Sequence, residues 1–227
     1  MFLLATFISC SKIDNYPAPN GGVFGTVTDQ MTNEGIQTEQ PNGFNIKLFE
    51  KGRSINSPIS FSGKPDGTFE NVLIFQNEYR VAAVEGAFFP LPDTITVQVG
   101  KHTEINFSVM PYLSLTNVTV TPSANPLKVT VTYNIARSQV GGKITTRKSM
   151  LSKVPTCSNS FNALNVSTNT NSVSDATLLA TTFTDVITGT SSVPLVSGQT
   201  YWVRVGALAA NTLSRYNYSK IVKITMP

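Results

Sequence analysis

Histidine, cysteine and tryptophan are nearly missing from this chain. Its 227 residues include one histidine, two cysteines and one tryptophan, and 13% of them are charged. A structural zinc site takes about four Cys or His ligands, and a Ser-His-Asp or Cys-His catalytic centre would have to use the lone His102. His102 lies in GKHTEIN between two strand-like runs, and we expect it to be a solvated turn residue. The chain is therefore predicted not to be an enzyme and to use no metal or other cofactor.

Long apolar runs are also missing beyond the N-terminus. No later run approaches the roughly 18 residues of a membrane-spanning helix. The chain begins MFLLATFISC, in which an apolar segment runs from Phe2 to Ile8 and leads into Cys10. Residues 1–9 are interpreted as the remnant of a signal peptide, and residues 10–20 as a lipidated, proline-containing tether. The alternative is an apolar N-terminus with an incidental cysteine.

The segment FISC resembles the lipobox of bacterial lipoproteins, in which the cysteine is acylated and becomes the new N-terminus. It has Phe7 where leucine is usual, and no Lys or Arg precedes the apolar segment. The resemblance implies a lipid on Cys10 and contact with the membrane through that anchor only. Cys157 would then have no partner for a disulfide within the chain.

Charge is distributed unevenly between the two halves of the chain. Residues 1–110 carry 7 Lys and Arg against 11 Asp and Glu, whereas residues 111–227 carry 10 against 2. A change of this size indicates a domain boundary, so we predict one domain over residues 21–110 and a second over residues 111–227. The basic half either faces an anionic surface or carries solvated loops.

Two groups of charged residues bear on enzymatic and nucleic-acid functions. Glycosidases need only two carboxylates, but carboxylates that alternate along sandwich strands face outward, so the acidic group is interpreted as surface charge. The basic group has no interleaved aromatic residues for base stacking, so nucleic acid is not an expected partner. An acidic glycan or plain solvation remains open for the basic group. The acidic group consists of Asp66, Glu70, Glu78, Glu85 and Asp93. The basic group consists of Arg137, Lys143, Arg147, Lys148 and Lys153.

Short alternating or β-branched runs, separated by Gly, Pro, Asn and Asp, recur along the whole chain. No window of about 11–18 residues has the apolar spacing of a buried helix face. The first half contains GVFGTVT, FNIKLFE, PISFS, GTFENVLI, EYRVAAVE, DTITVQV and TEINFSV, with a tight turn predicted at Pro65-Asp66-Gly67. The second half contains NVTVT, LKVTVTYNI, KITTRKSML, TLLATTF, YWVRVGALA and KIVKITM, and its polar stretch 154–176 is predicted to be a long loop or a loosely held edge. The pattern predicts an all-β chain of two tandem β-sandwiches.

Two segments resemble known sandwich families. GVFGTVTDQMTNEGIQ is similar to the first strand and turn of carboxypeptidase-regulatory-like domains, which have a transthyretin-type fold and are non-catalytic modules. LVSGQTYWVRV resembles the end of a fibronectin type III or immunoglobulin-like domain, in which Tyr201 would fold its hydroxyl back onto earlier backbone. Trp202 would then lie on the opposite face of that strand. The first resemblance rests on Gly25, Val27, Asp29, Thr32 and Gly35.

The lipobox, the DNYPAP tether and the GKPDGTF and VEGAFFP stretches together resemble a domain-of-unknown-function family of surface lipoproteins from glycan-foraging Gram-negative bacteria. The resemblance is strongest over residues 10–110. It implies anchoring at the outer membrane or cell surface, with a TonB-dependent transporter and a glycan-binding lipoprotein as partners. We expect a non-catalytic accessory subunit for glycan binding or scaffolding in polysaccharide uptake. The alternative is a structural spacer or adhesin-like module without a small-molecule ligand.

Aromatic side chains are the candidates for sugar binding, since carbohydrate sites use ring faces and a few directed polar groups. Phe88 and Phe89 are adjacent in EGAFFPLPD, and two consecutive residues cannot both point into one core. Either one of them stacks on a sugar, or one packs inward while the other covers the domain junction. The weaker candidates are Trp202, Tyr16, Tyr216 and Tyr218.

Overall fold

A computed structural model of the chain describes residues 17–55 and 57–227. The acylation predicted at Cys10, the signal-peptide remnant, most of the tether and Tyr16 lie outside the described residues. Within them the regular secondary structure is almost entirely β-strand, with one short helix in the second half.

The first sandwich, over residues 21–109, packs a mixed sheet, in which β1 pairs antiparallel with β4 and parallel with β7 and β8, against an antiparallel sheet. One sheet has the order β4-β1-β7, with β8 also pairing with β1, and the other has the order β3-β2-β5-β6. Their inner faces bury Val27, Leu48, Phe69 and Tyr79. The strands are β1 (Gly21–Asp29), β2 (Asn45–Glu50), β3 (Ile59–Ser62), β4 (Thr68–Ile74), β5 (Glu78–Val84), β6 (Ile95–Gln98), β7 (Thr103–Glu104) and β8 (Phe107–Val109).

All seven strand-like runs of the first half form strands, but the last run is divided into β7 and β8. At the division the side chain of Asn106, rather than its backbone, accepts a 2.9 Å hydrogen bond from the Thr26 amide. The carbonyl oxygen of Ile105 also approaches Gly25 so closely that a Cβ there would lie 1.8 Å from it. Gly25 therefore permits the close crossing at which the ladder is interrupted.

The turn at Pro65-Asp66-Gly67 has the predicted form. Gly67 has a φ of +87°, a conformation that glycine adopts without steric cost. Asp66 Oδ1 accepts hydrogen bonds from the amide and the hydroxyl of Thr68, at 3.1 and 2.7 Å. The turn thus leads directly into β4.

The second sandwich has a three-stranded sheet, β13-β10-β9, facing a sheet of order β12-β11-β14, in which β15 and β16 both pair with β14. Alternate residues of β10 point inward, so that Val129, Val131 and Tyr133 are fully buried. The strands are β9 (Ser114–Ala124), β10 (Leu127–Ala136), β11 (Ile144–Ser152), β12 (Leu164–Asn169), β13 (Thr182–Thr188), β14 (Thr200–Ala209), β15 (Asn217–Tyr218) and β16 (Val222–Thr225).

The polar stretch 154–176 contains the edge strand β12, which is one of its two predicted forms. The TLLATTF run is not the predicted strand, because helix α1 (Asp175–Ala180) occupies its first half. Ser174 caps the helix by accepting a 3.1 Å hydrogen bond from the Thr177 amide, and Leu178 anchors it in the core. A local cap and one buried side chain therefore outweigh the β-propensity of this segment.

Candidate functional site

A cleft of about 520 Å³ opens at the junction of the two sandwiches. The loop between β5 and β6 forms one wall, the turn between β14 and β15 forms the other, and Tyr112 of the connecting segment lies between them. Clefts at domain boundaries with this volume are common ligand sites. The lining includes Arg80, Glu85, Phe88, Pro90, Leu91, Pro92, Asp93, Tyr112, Asn211, Thr212 and Leu213.

The paired phenylalanines support this cleft from behind. Phe88 is 4% exposed and packs in the core of the first sandwich, so its ring offers no open face to a sugar. Phe89 is half-buried and packs edge-on against Tyr112, with ring centroids 4.9 Å apart. The backbone holds this contact, because the Phe89 amide donates to Met110 and the Tyr112 amide donates to Ala87, at 2.9 and 3.1 Å. Phe88 thus packs inward and Phe89 covers the junction.

Tyr112 was not among the sugar-binding residues predicted from the sequence. It is half-buried, lines the cleft and contacts Phe89. Burial raises the pKa of its hydroxyl, so Tyr112 stays neutral and able to donate a hydrogen bond at physiological pH. Its position directly after Pro111, at the change in charge between the two halves, was the available signal.

Glu85 fixes the first wall of the cleft. Its φ of +62° is unusual for a residue with a side chain. Its carboxylate accepts hydrogen bonds of 2.5 Å from Lys47 and Asn45, and these bonds hold its pKa below the ordinary value. Its carbonyl oxygen accepts a 3.1 Å hydrogen bond from Nε of Arg215 in the second sandwich. Glu85 therefore has a structural role: its carboxylate holds the first wall, and its carbonyl oxygen joins that wall to the second sandwich.

Three polar side chains at the cleft, those of Arg80, Asp93 and Thr212, make no hydrogen bond within the described ranges, and all three are exposed. The Arg80 guanidinium lies 5.8 Å from the centre of the Phe49 ring. A cation, an anion and a hydroxyl group are thus available as donors and acceptors beside Tyr112. This combination suits a polyhydroxylated ligand.

The other candidates lie elsewhere. Trp202 is half-buried on the outer face of β14, in register with Ser152 and Lys223, and does not line the cleft. Tyr201 points to the opposite face and is fully buried. Its hydroxyl accepts a 3.1 Å hydrogen bond from the Val196 amide, which is the geometry of a tyrosine corner.

A buried polar network locks the junction below the cleft. Arg204 is 2% exposed, and its guanidinium lies 4.5 Å from the centre of the Tyr218 ring. The Tyr218 hydroxyl donates a 3.0 Å hydrogen bond to Glu39 of the first sandwich, and Tyr216 stacks on Tyr218. Burial lowers the pKa of Arg204 to about 10, which leaves it charged at neutral pH. Arg204 donates to the carbonyl oxygens of Thr38 (2.7 Å), Cys157 (3.2 Å) and Ser219 (2.8 Å).

The basic group of the second half is only partly solvated. Arg147 reaches into the second core, where it forms an ion pair of 2.5 Å with Asp185 and lies 4.6 Å from the Phe183 ring. Arg137 is paired with Asp175 at 3.2 Å. The two carboxylates of the second half are thus paired with these arginines, and Asp175 also pairs with Lys143 at 3.8 Å. The side chains of Arg137 and Arg147 are 8% and 16% exposed, so plain solvation is wrong for both.

Reactive groups in the described chain are not assembled into a centre. His102 is exposed and stacks on Phe24, with ring centroids 4.0 Å apart. Cys157 is buried, and burial raises its pKa to about 12. Across residues 17–55 and 57–227, no group of three or more His, Cys, Asp or Glu side chains is placed to hold a metal. No helix in those ranges is long and apolar enough to cross a membrane.

Comparisons with known proteins give a family and a fold. Residues 22–110 match the N-terminal domain of the protein of unknown function DUF3823. A DUF3823 family protein of Bacteroides uniformis has a TM-score of 0.75 at 22% identity, and one of Parabacteroides merdae has 0.75 at 25%; each alignment covers 92% of this chain and 100% of the other. A second Bacteroides uniformis protein, described as a "putative carbohydrate binding protein", has a TM-score of 0.76 at 23% identity over the same shares.

No curated protein matches the chain. The agreement with the solved structures extends over both sandwiches, whereas the family match lies in the first. Residues 22–110 therefore match the DUF3823 N-terminal domain, on a chain that has the fold of DUF3823 proteins throughout its described length.

Proposed function

We propose that this protein is a non-catalytic glycan-binding subunit and that the junction cleft is its binding site. The observation that carries the proposal is the combination, in one cleft of about 520 Å³, of Tyr112 with the exposed side chains of Arg80, Asp93 and Thr212, which make no hydrogen bond within the described residues. Sugars are bound by ring surfaces together with a few directed hydrogen bonds. A structural neighbour whose name includes carbohydrate binding is consistent with this role.

The rigidity of the cleft supports the same role. Pro90 and Pro92 limit the backbone freedom of one wall, and Glu85 is held by Lys47 and Asn45. A preformed wall loses little conformational entropy when a ligand binds. A shallow, weak site with millimolar affinity, about 4 kcal/mol of binding free energy, would be sufficient for an accessory subunit.

The cellular setting belongs to the same proposal. A lipid on Cys10 would anchor the protein at the outer membrane or cell surface. A TonB-dependent transporter and a glycan-binding lipoprotein of the same locus would be its partners in polysaccharide uptake. These points rest on the resemblance of FISC to a lipobox and of the chain to surface lipoproteins.

A glycan array tests the proposal when it is run with a variant that blocks the cleft. Thr212→Trp fills the cleft from an exposed position and leaves the buried residues unchanged. Thr188→Trp places the same ring on an exposed position of β13 and is the matched control. We expect the unmodified chain and Thr188→Trp to bind the same glycans and Thr212→Trp to lose them. Equal binding by all three would place the site elsewhere, and no binding by any would favour a spacer.

The second candidate function is a structural spacer or adhesin-like module. It is favoured by the burial of Phe88 and by the packing of Phe89 on Tyr112, because a spacer buries its aromatic residues at the domain junction. The array separates the two functions, since a spacer binds no glycan with or without the cleft.

A further inference from the structure

The end of the first sandwich that lies away from the second sandwich has an exposed apolar surface. Leu73 and Val72, at the end of the edge strand β4, are 72% and 56% exposed, and Ile55 of the β2–β3 loop is 64% exposed. Exposed apolar groups of this kind mark contact surfaces. We call these three side chains the distal apolar end, and the turn to β5 follows them at Phe75.

The N-terminal entry of the chain lies at this end, beside the turn between β4 and β5 and the turn between β6 and β7. Asn20 Oδ1 accepts a 3.1 Å hydrogen bond from the side chain of Gln76, next to Phe75. The Gly22 amide donates to Gly100 at 3.0 Å, which brings the β6–β7 turn alongside. The N-terminal segment that precedes residue 17 therefore joins the sandwich beside the distal apolar end.

One lysine at this end is free to meet lipid headgroups. Lys101 is exposed in the β6–β7 turn and forms no ion pair within the described part of the chain. Lys51 and Arg53 of the β2–β3 loop are paired with Glu78 and Glu50. Apolar side chains with a free lysine beside them are the composition of a surface that rests in the headgroup region of a bilayer.

We infer that the distal apolar end docks on the lipid surface, so that the first sandwich stands on the membrane and the second points away from it. The inference rests on the proposed anchor at Cys10, and it adds a protein contact where the sequence alone led us to expect contact through the lipid only. The ten residues from Cys10 to Asn20 reach at most about 35 Å, which keeps the end near the bilayer. A short tether gives an effective concentration in the millimolar range, so a few apolar side chains are enough.

Docking in this orientation fixes the height of the junction cleft. β5 runs from Glu78, near the distal apolar end, to Val84, which lines the cleft. Seven residues of strand span roughly 20 Å. The wall of the cleft thereby begins at Arg80, close to the lipid, and rises along β5 to about one strand length above it at Val84.

A fluorescent label at position 73 tests the inference. The full chain is made with Cys10→Ser, an N-terminal hexahistidine tag and Leu73→Cys, and Leu73→Cys takes an environment-sensitive dye because Cys157 is buried. Vesicles of phosphatidylcholine and phosphatidylglycerol with a nickel-chelating lipid supply the tether, whether or not cells acylate Cys10. The matched control carries the dye at Val140→Cys, a position 87% exposed in the second sandwich.

We expect a several-fold, blue-shifted rise in emission at position 73 on tethering, quenched by nitroxide-labelled lipid, and no change at position 140. Equal signals at the two positions on vesicle-bound protein would overturn the inference. So would a rise at position 73 in concentrated protein without vesicles, which would make this end a self-association surface. Acylation of Cys10 and glycan binding in the cleft are measured separately, so their failure is distinguishable from this one.

Discussion

The hydroxyl of Tyr218 in the second sandwich donates a 3.0 Å hydrogen bond to the carboxylate of Glu39 in the first. Both residues are buried, and burial raises the pKa of Tyr218, so the hydroxyl remains protonated and able to donate. Arg204 lies against the same ring and reaches the carbonyl oxygen of Thr38 across the junction. Such contacts allow the two sandwiches few other relative positions, because each broken contact leaves a buried polar group without a partner. The two walls of the cleft are thereby held in a fixed relation.

Removal of the Arg204 side chain should weaken the junction. Arg204→Met keeps the bulk of the stem but leaves three carbonyl oxygens without their donor. We expect a loss of about 2–4 kcal/mol in the free energy of unfolding, as is found when buried polar groups lose their partners. Urea unfolding measures it, with the exposed Lys223→Met as the control, expected within about 0.5 kcal/mol of the unmodified chain. Equal costs for the two variants would contradict a structural role for Arg204.

Each half of the chain should fold without the other. Each has its own apolar core, one centred on Leu48 and Phe69 and the other on Val131 and Tyr201. We expect fragments 17–110 and 111–227 to give cooperative melts and β-type circular dichroism spectra, both with a lower midpoint than the whole chain. Two unfolded fragments would instead indicate a single folding unit.

Tyr201 and Trp202 should differ in their contribution to stability. Tyr201→Phe removes a hydroxyl that accepts a hydrogen bond from the Val196 amide and should cost about 0.5–1.5 kcal/mol. Trp202→Phe keeps a ring on the half-buried outer face of β14 and should cost less. Chemical unfolding of both variants decides the point, and a reversed order of costs would contradict the described faces of the strand.

Glu85 should make stability depend on pH in the acid range. Hydrogen bonds from Lys47 and then from Asn45 lower its pKa in the folded chain. This stabilisation is present above the pKa of the unfolded chain, about 4.3, and is lost as the pH falls through the lowered folded pKa. The stability gap between the unmodified chain and Glu85→Gln should therefore be constant near neutral pH and shrink below about pH 4.

Urea midpoints between neutral and acid pH measure this gap. Thr94→Val is the control, because Thr94 is an exposed position of the same loop without a titratable side chain, and its gap should not change. A gap for Glu85→Gln that stays the same at all pH values would show that its hydrogen bonds do not favour the ionised form.

Strand periodicity was enough to predict both sandwiches, because alternation along runs such as β10 places Val129, Val131 and Tyr133 on one face. The stretch that contains β12 was predicted only as a long loop or a loosely held edge, since the outward side chains of β12 are polar and an edge strand needs only one apolar face. α1 has six residues, which is too short for a helical period to show. The buried Arg204 was also missed, because its position on the outer face of β14 becomes internal only when the two sandwiches pack.

Part of the candidate site was likewise predicted from the sequence, and part was not. The proline-flanked loop at Phe88 and Phe89 was identified from sequence, and it borders the cleft. The inward direction of Phe88 depends on Gly86, where a Cβ would lie 2.0 Å from the Phe88 ring. Tyr112 and Thr212 join the loop only through the packing of the second sandwich. Contacts between distant segments cannot be read from local pattern.

Titration calorimetry of Tyr112→Leu tests the central claim most directly. The leucine keeps apolar bulk against Phe89 but removes the ring and hydroxyl from the cleft. With a glycan that the array returns, we expect affinity to fall about tenfold, since a stacked ring contributes about 1–2 kcal/mol by analogy with base stacking. The melting midpoint should change little. Unchanged affinity in Tyr112→Leu, together with loss of binding in Trp202→Ala, would contradict the account and place the site on the outer face of β14.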